Sequence, residues 1–239
     1  MIFIKNLKKS LGGKKVLDGV NLHVKKGEIL VIMGRSGEGK SVLLKLIIGL
    51  LAPDSGSIYI DGIDITSLNE KELNDVRKRF GMLFQSAALF DYMTVLGNVG
   101  FSYVEHTNLR SCEIRNLVEE KLEMVDLKDV IDKKPNELSG GMKKRVGLAR
   151  AIAMNPKIML YDEPTTGLDP ITGKTIDELI VRLKKKLSTT GVAVTHDLKS
   201  AFRIADRIAF LDKGKIVGIY RPDKINEAKE EIVRKFISQ

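Results

Sequence analysis

The sequence predicts an α/β protein built on a parallel sheet, with a helical subdomain inserted between two β-containing parts. Three observations carry this. The run ILVIM at 29–33 is apolar at every position rather than at alternate ones, the mark of a strand covered on both faces. It passes through a glycine-rich turn straight into a helical pattern, the connection that a parallel sheet requires. From about 87 to 154 strand signal is scarce and helical spacing prevails.

Strand-like runs rich in β-branched residues fall at 2–4, 29–33, 58–60, 80–84, 158–161, 192–195, 208–211 and 216–219. Helical patterns fall near 40–51, 70–79, 113–125, 141–154, 173–187, 198–205 and 226–237. Asn69 and Glu72 have the spacing of a capping box for the second of these helices. Neither an internal repeat nor a low-complexity linker is visible.

The 239 residues, 43% apolar and 30% charged, suffice for a substantial core. No apolar run approaches the ~20 residues of a membrane span, and the first residues lack a basic-then-apolar leader pattern. The chain is therefore expected to stay in the cytoplasm. The single cysteine, Cys112, fits a reducing compartment. The net charge of +9 suits nucleic acid or an anionic membrane surface. The lysine-rich runs at 143–145 and 184–186 lie in helical patterns and read as solvated helix faces. With no tryptophan and few aromatics to stack on bases, a nucleic-acid partner is not expected.

The segment GRSGEGKS at 34–41 has the spacing of a phosphate-binding loop, with the strand before it and the helix after it that the motif needs. Gly34, Gly37 and Gly39 let backbone N–H groups turn inward on phosphate oxygens, with Arg35, Ser36 and Glu38 completing the loop and Val42 following it. The helix start adds the positive end of its dipole. Lys40 is expected at the β- and γ-phosphates of a bound nucleotide, and Ser41 on Mg2+. A glycine-rich turn without a ligand would have the same spacing, but not the same flanks.

IMLYDE at 158–163 sets two carboxylates at the end of a buried strand, where neighbouring side chains point to opposite sides. Asp162 suits the Mg2+ shell, and Glu163 could polarise a water for attack on the γ-phosphate. His196 follows the strand at 192–195 and precedes Asp197, in a loop where a parallel sheet displays functional groups. A lone histidine is more often structural than catalytic, but in this position a γ-phosphate contact is the better reading.

The helix after Ser139 opens on Gly140 and Gly141, although each glycine costs a helix roughly 0.5–1 kcal/mol relative to alanine. Ser139 can cap this helix, and a start without side chains can approach an anion closely. The phosphate loop already serves one side of a nucleotide. A second anion-binding helix start makes sense if it belongs to another copy, in a head-to-tail pair with two-fold symmetry.

In this ordered set the chain resembles the ATP-binding cassette (ABC) ATPases over nearly its whole length. The motifs are GRSGEGKS, Gln85, LSGGM at 138–142, IMLYDE, TGLD at 166–169 and His196. The resemblance implies a P-loop NTPase cassette: one domain over 1–239, with a RecA-like core and an antiparallel β part in 1–86 and 155–239, and a helical subdomain in 87–154. It implies ATP sandwiched between two cassettes, Glu163 as catalytic base, Gln85 on Mg2+ and the attacking water, and His196 near the γ-phosphate. Ser139, Gly140 and Gly141 would meet the partner's nucleotide, and Asp169 would lie at the dimer seam. Where the family usually has an aromatic residue against adenine this chain has Leu11, so Leu11 and Val16 are the expected apolar contacts. Met142 and Thr166 are smaller departures, at positions where the family favours Gln and Ser.

The stretches 81–109, 168–180 and 195–211 further resemble the ATPases of Mla-type, MCE-associated phospholipid transport systems. That likeness implies a homodimer peripheral on the cytoplasmic face of the inner membrane, bound to an integral-membrane permease and an MCE-domain lipid-binding protein. The segment 87–99 would dock the permease, with Phe90, Tyr92 and Met93 either as anchors or as packing within the helical subdomain. An importer ATPase for another substrate such as amino acids, a ribosome- or DNA-acting cassette protein and a non-catalytic scaffold are the competing readings.

Overall fold

The computed structural model describes residues 1–238, which form two compact units. The first comprises 1–77 and the segment from 190 onward; the second comprises 78–189.

In the first unit, β1 (Ile2–Leu11), β2 (Lys14–Val24), β4 (Ser55–Ile60) and β5 (Ile63–Asp64) form an antiparallel sheet in the order β2-β1-β4-β5. β3 (Ile29–Met33) pairs in parallel with both β8 (Thr190–Thr195) and β9 (Arg207–Asp212), and β10 (Lys215–Tyr220) closes this side antiparallel to β9. Every residue of β3 and β8 is buried, as the unbroken apolar run predicts. Three α-helices complete the main body: α1 (Lys40–Ile47), α2 (Glu70–Arg77) and α7 (Leu198–Ile204). The capping box of α2 is present in both directions. Glu72 N–H donates to Asn69 Oδ1, and Asn69 N–H to Glu72 Oε2, each at 3.0 Å.

β2 is absent from the strands expected from sequence. Its buried residues Leu17, Val20, Leu22 and Val24 are three apart at the first step and two apart afterwards. A bulge at Gly19 breaks the alternation: Lys8 pairs with Asp18 but Leu7 with Val20. The chain's last helical pattern resolves into a 3-10 turn (Pro222–Glu227) and α8 (Glu231–Ile237). Ile225, Ala228 and Val233 are buried, and Phe236 packs on Phe210 of β9 with ring centroids 5.8 Å apart, so this segment belongs to the core of its own unit.

In the second unit, β6 (Phe80–Leu83) pairs in parallel with β7 (Ile158–Asp162), Leu83 opposite Tyr161. Around them lie α3 (Val95–His106), α4 (Ser111–Met124), α5 (Gly140–Ala151) and α6 (Pro170–Leu187). α3 is a helix the sequence pattern does not announce, because Gly97 and Gly100 interrupt it. A Cβ at Gly100 would come within 3.1 Å of Ile114 on α4, so close packing between helices explains that glycine. Buried Asn98 replaces local propensity with side-chain bonding: it accepts from Phe90 N–H and donates to the carbonyls of Phe90, Met93 and Thr94. Among the described residues no helix is long and apolar enough to cross a membrane.

Candidate functional site

The phosphate loop lies in the first unit, between the end of β3 and α1. Two glycines are dictated by the fold. A Cβ on Gly34 would sit 2.5 Å from the backbone carbonyl oxygen of Leu211 on β9. Gly39 has φ +94° and a Cβ there would lie 2.7 Å from Val16 Cγ1. Gly39 is the N-cap of α1 and offers no side-chain cap, so the first N–H groups of the helix are not engaged by a capping side chain. Lys40 is 7% exposed, and its Nζ donates to the carbonyls of Gly34 (2.8 Å) and Arg35 (3.0 Å). The ammonium is thereby folded over a loop whose Arg35, Ser36 and Gly37 face solvent. On its far side Glu38 accepts from Lys213 N–H at 2.6 Å, pinning the loop to the turn after β9. Ser41 and Val42, both half-buried, follow in the first turn of α1.

His196 is exposed immediately after β8, whose Thr195 pairs with Met33. The parallel register thus brings His196 and the loop to the same end of the sheet, as the sequence predicts. Asp197 has its own task, N-capping α7 through Lys199 N–H at 2.8 Å. Val16 touches the phosphate loop at Gly39. Leu11 lies exposed at the tip of the β1–β2 hairpin.

The second unit holds the carboxylates. Because Leu83 pairs with Tyr161, Gln85 and the pair Asp162–Glu163 emerge at one end of β6 and β7. Asp162 and Glu163 are buried. Glu163 has φ +47°, unusual for a residue with a side chain. Thr166 Oγ1 donates to Glu163 Oε2 at 3.0 Å.

Ser139 caps α5 as expected, its Oγ accepting from Met142 N–H at 3.3 Å. Ser139 and Gly140 are exposed. A Cβ on Gly140 would meet only Leu168, at 3.6 Å, an ordinary contact; one on Gly141 would press on Thr172 at 2.6 Å. Asp169 caps α6, accepting from Ile171 and Thr172 N–H groups. Hydrogen bonding to Thr172 holds its carboxyl below the usual range. Beside it Ile171 is 80% exposed.

Two basic residues of α5 escape sequence reasoning. The run 143–145 is not a solvated face throughout, because Lys144 is 4% exposed. Its Nζ donates to the main-chain oxygen of Glu163 at 3.2 Å. Burial pushes its pKa down to about 8, although the Asp162 and Glu163 carboxylates favour its charged form. Arg150 donates to the carbonyls of Ala88 and Ala87, both at 2.6 Å, and so clamps two successive left-handed residues just beyond Gln85. A lysine surrounded by other basic residues gives no sequence signal of burial.

Phe90 and Tyr92 are exposed, not core. With Phe101 they form an aromatic cluster, ring centroids 5.5 to 5.8 Å apart, at the surface of the second unit. Met93 is half-buried.

A phosphate loop cradling a lysine, together with a strand-end acid pair, defines the class of nucleoside-triphosphate-binding proteins. Residues 17–166 match the family model described as ABC transporter, and the chain belongs to that family. It is 48% identical over 220 residues to the methionine import ATP-binding protein MetN of Carboxydothermus hydrogenoformans, covering 91% of this chain and 65% of the relative's length. It is 44% identical over 237 residues to the intermembrane phospholipid transport system ATP-binding protein MlaF of Haemophilus influenzae, covering 99% of this chain and 90% of that one. Its fold matches the dimeric ATP-binding cassette MJ0796 in a post-hydrolysis state bound to ADP and Pi. The TM-score is 0.85 at 37% identity, over 93% of this chain and 99% of that one. The protein is an ABC ATPase, the ATP-binding part of a transport system.

Proposed function

We propose that the protein powers a membrane permease for lipid trafficking in the cell envelope, from the cytoplasmic face of the inner membrane. The observation that carries the ATPase chemistry is Lys40, a buried ammonium folded over the glycine-rich loop ahead of an α1 start that no side chain caps. In this reading residues 34–42 cradle the phosphates of ATP and Lys40 offsets their charge. Glu163 orients and deprotonates the attacking water, and His196 contacts the γ-phosphate. Val16 and Leu11 meet the adenine. Taken each in its own unit, the Ser41 hydroxyl, the Gln85 amide and the Asp162 carboxylate offer the oxygen ligands that Mg2+, a hard cation, takes alongside phosphate and water oxygens. When bound it neutralises charge on the phosphates.

The functional form is a homodimer in which Ser139, Gly140 and Gly141 of one copy close the nucleotide site of the other, with Asp169 at the seam. One feature supports this: Gly140 answers to no steric demand within its own unit. The exposed Phe90 and Tyr92 support permease docking through 87–99.

Lipid as the cargo, and an MCE-domain protein as a further partner, rest on the MlaF-like identity across 99% of the chain. The MetN-like identity favours the second reading, an ATPase for import of a small solute such as an amino acid. Glu163→Gln should nearly abolish phosphate release while sparing ATP binding; normal turnover would remove Glu163 from the role of base. Purification from gently solubilised native membranes, with mass spectrometry of proteins and lipids, separates the two cargoes. A permease with an MCE-domain protein and phospholipid supports the first, and a permease with a soluble solute-binding protein supports the second.

A further inference from the structure

Lys144 stands four residues after Gly140 on α5, and its side chain is almost wholly buried. Burying an ammonium is unfavourable, and an apolar side chain of the same length would fill the space without that cost. Its placement therefore calls for a reason other than stability. The acceptor it reaches is the main-chain oxygen of Glu163, which also accepts from Thr166 N–H at 3.3 Å. The Glu163 peptide is the one that needs holding. Its φ of +47° is disfavoured for a residue with a Cβ, and it sets the direction in which the carboxylate leaves the chain. Thr166 Oγ1 then fixes the carboxylate itself.

We infer that Lys144 is a positioning residue for hydrolysis: by holding the Glu163 carbonyl it keeps the base aimed, and it ties that aim to the helix that begins at Ser139. The inference rests on the reading of Glu163 as base. It adds that the helix start offered to a second copy's nucleotide and the base for the chain's own nucleotide are joined through one side chain.

The test is a double-mutant cycle read by single-turnover ATP hydrolysis, with binding of a fluorescent ATP analogue and thermal melting measured alongside. Lys144→Met should fold with no loss of melting temperature, bind the analogue as the parent does, and hydrolyse about tenfold more slowly or worse. Lys144→Gln, which keeps an N–H donor, should recover part of the rate. In a Glu163→Gln background, Lys144→Met should cause no further loss, because a residue acting through the base has nothing left to act on. A Lys144→Met rate within twofold of the parent would overturn the inference, as would an equal fold-loss in both backgrounds. So would a fall in melting temperature that alone accounts for the lost rate. Should Lys144→Met fail to fold, Lys144→Leu, which also removes the donor, carries the same cycle. If Glu163→Gln alone hydrolyses normally, the reading of the base has failed rather than the contact.

Discussion

Two helices of this protein have a glycine at their start, α1 as its N-cap and α5 as its first residue, and the reasons differ. At α1, Gly39 sits in a left-handed conformation with Val16 against the place of its missing Cβ, and no side chain caps the helix. That glycine is demanded by the chain's own fold. At α5, Ser139 caps the helix, and a Cβ on Gly140 would meet nothing closer than 3.6 Å. That glycine is not demanded from within. Conformational need and an approach from outside leave the same letter in a sequence, and only the surroundings separate them.

The largest expected effect comes from Gly39→Ala. Left-handed strain costs about 1–2 kcal/mol, and overlap with Val16 adds to it, so both melting temperature and ATP binding should fall together. A stable, ATP-binding variant would end the contrast. Gly140→Ala should do the opposite: melting holds or improves, while turnover falls roughly tenfold or more through loss of close N–H contact with a phosphate on the second copy. Unchanged turnover would remove the outside approach as the reason for that glycine. Ser139→Ala should cost about 1 kcal/mol through the lost cap, readable by denaturant melting, whereas α1 has no such side-chain cap to lose.

The smallest effect concerns the far end of α5, where buried Tyr103 on α3 donates its hydroxyl to the carbonyl of Ala153. Burial, with the Glu120 carboxylate nearby, raises its pKa from 10.0 to about 12. An unfolded chain loses this proton near pH 10. The stability it contributes is therefore present below pH 10 and is lost as pH rises through about 12. Melting curves at pH 9 and 11 should show this loss in the parent and less of it in Tyr103→Phe.

The phosphate loop and the strand-end acids were readable because their logic is local. Spacing alone places Gly34, Gly39 and Lys40 around one turn, and an unbroken apolar run identifies a strand covered on both faces. β2 escaped because the bulge at Gly19 shifts its apolar period by one residue. α3 escaped because Gly97 and Gly100 lower helix propensity, while packing on Met93 and Ile114 and the bonds of Asn98 restore the helix. Lys144 and Arg150 escaped because a charged side chain reads as surface until its neighbours are known.

By itself, then, the sequence determined the fold class, the order of the nucleotide motifs and the cap of α5. These follow from backbone geometry and hydrophobic period over a few residues. Only the tertiary structure decided that Lys144 is buried on the Glu163 carbonyl, that Arg150 clamps the residues after Gln85, and that Gly140 has no steric reason within its own unit. Each depends on what lies opposite a side chain across many residues of sequence, and burial and hydrogen-bond partners are fixed only when those distant segments meet.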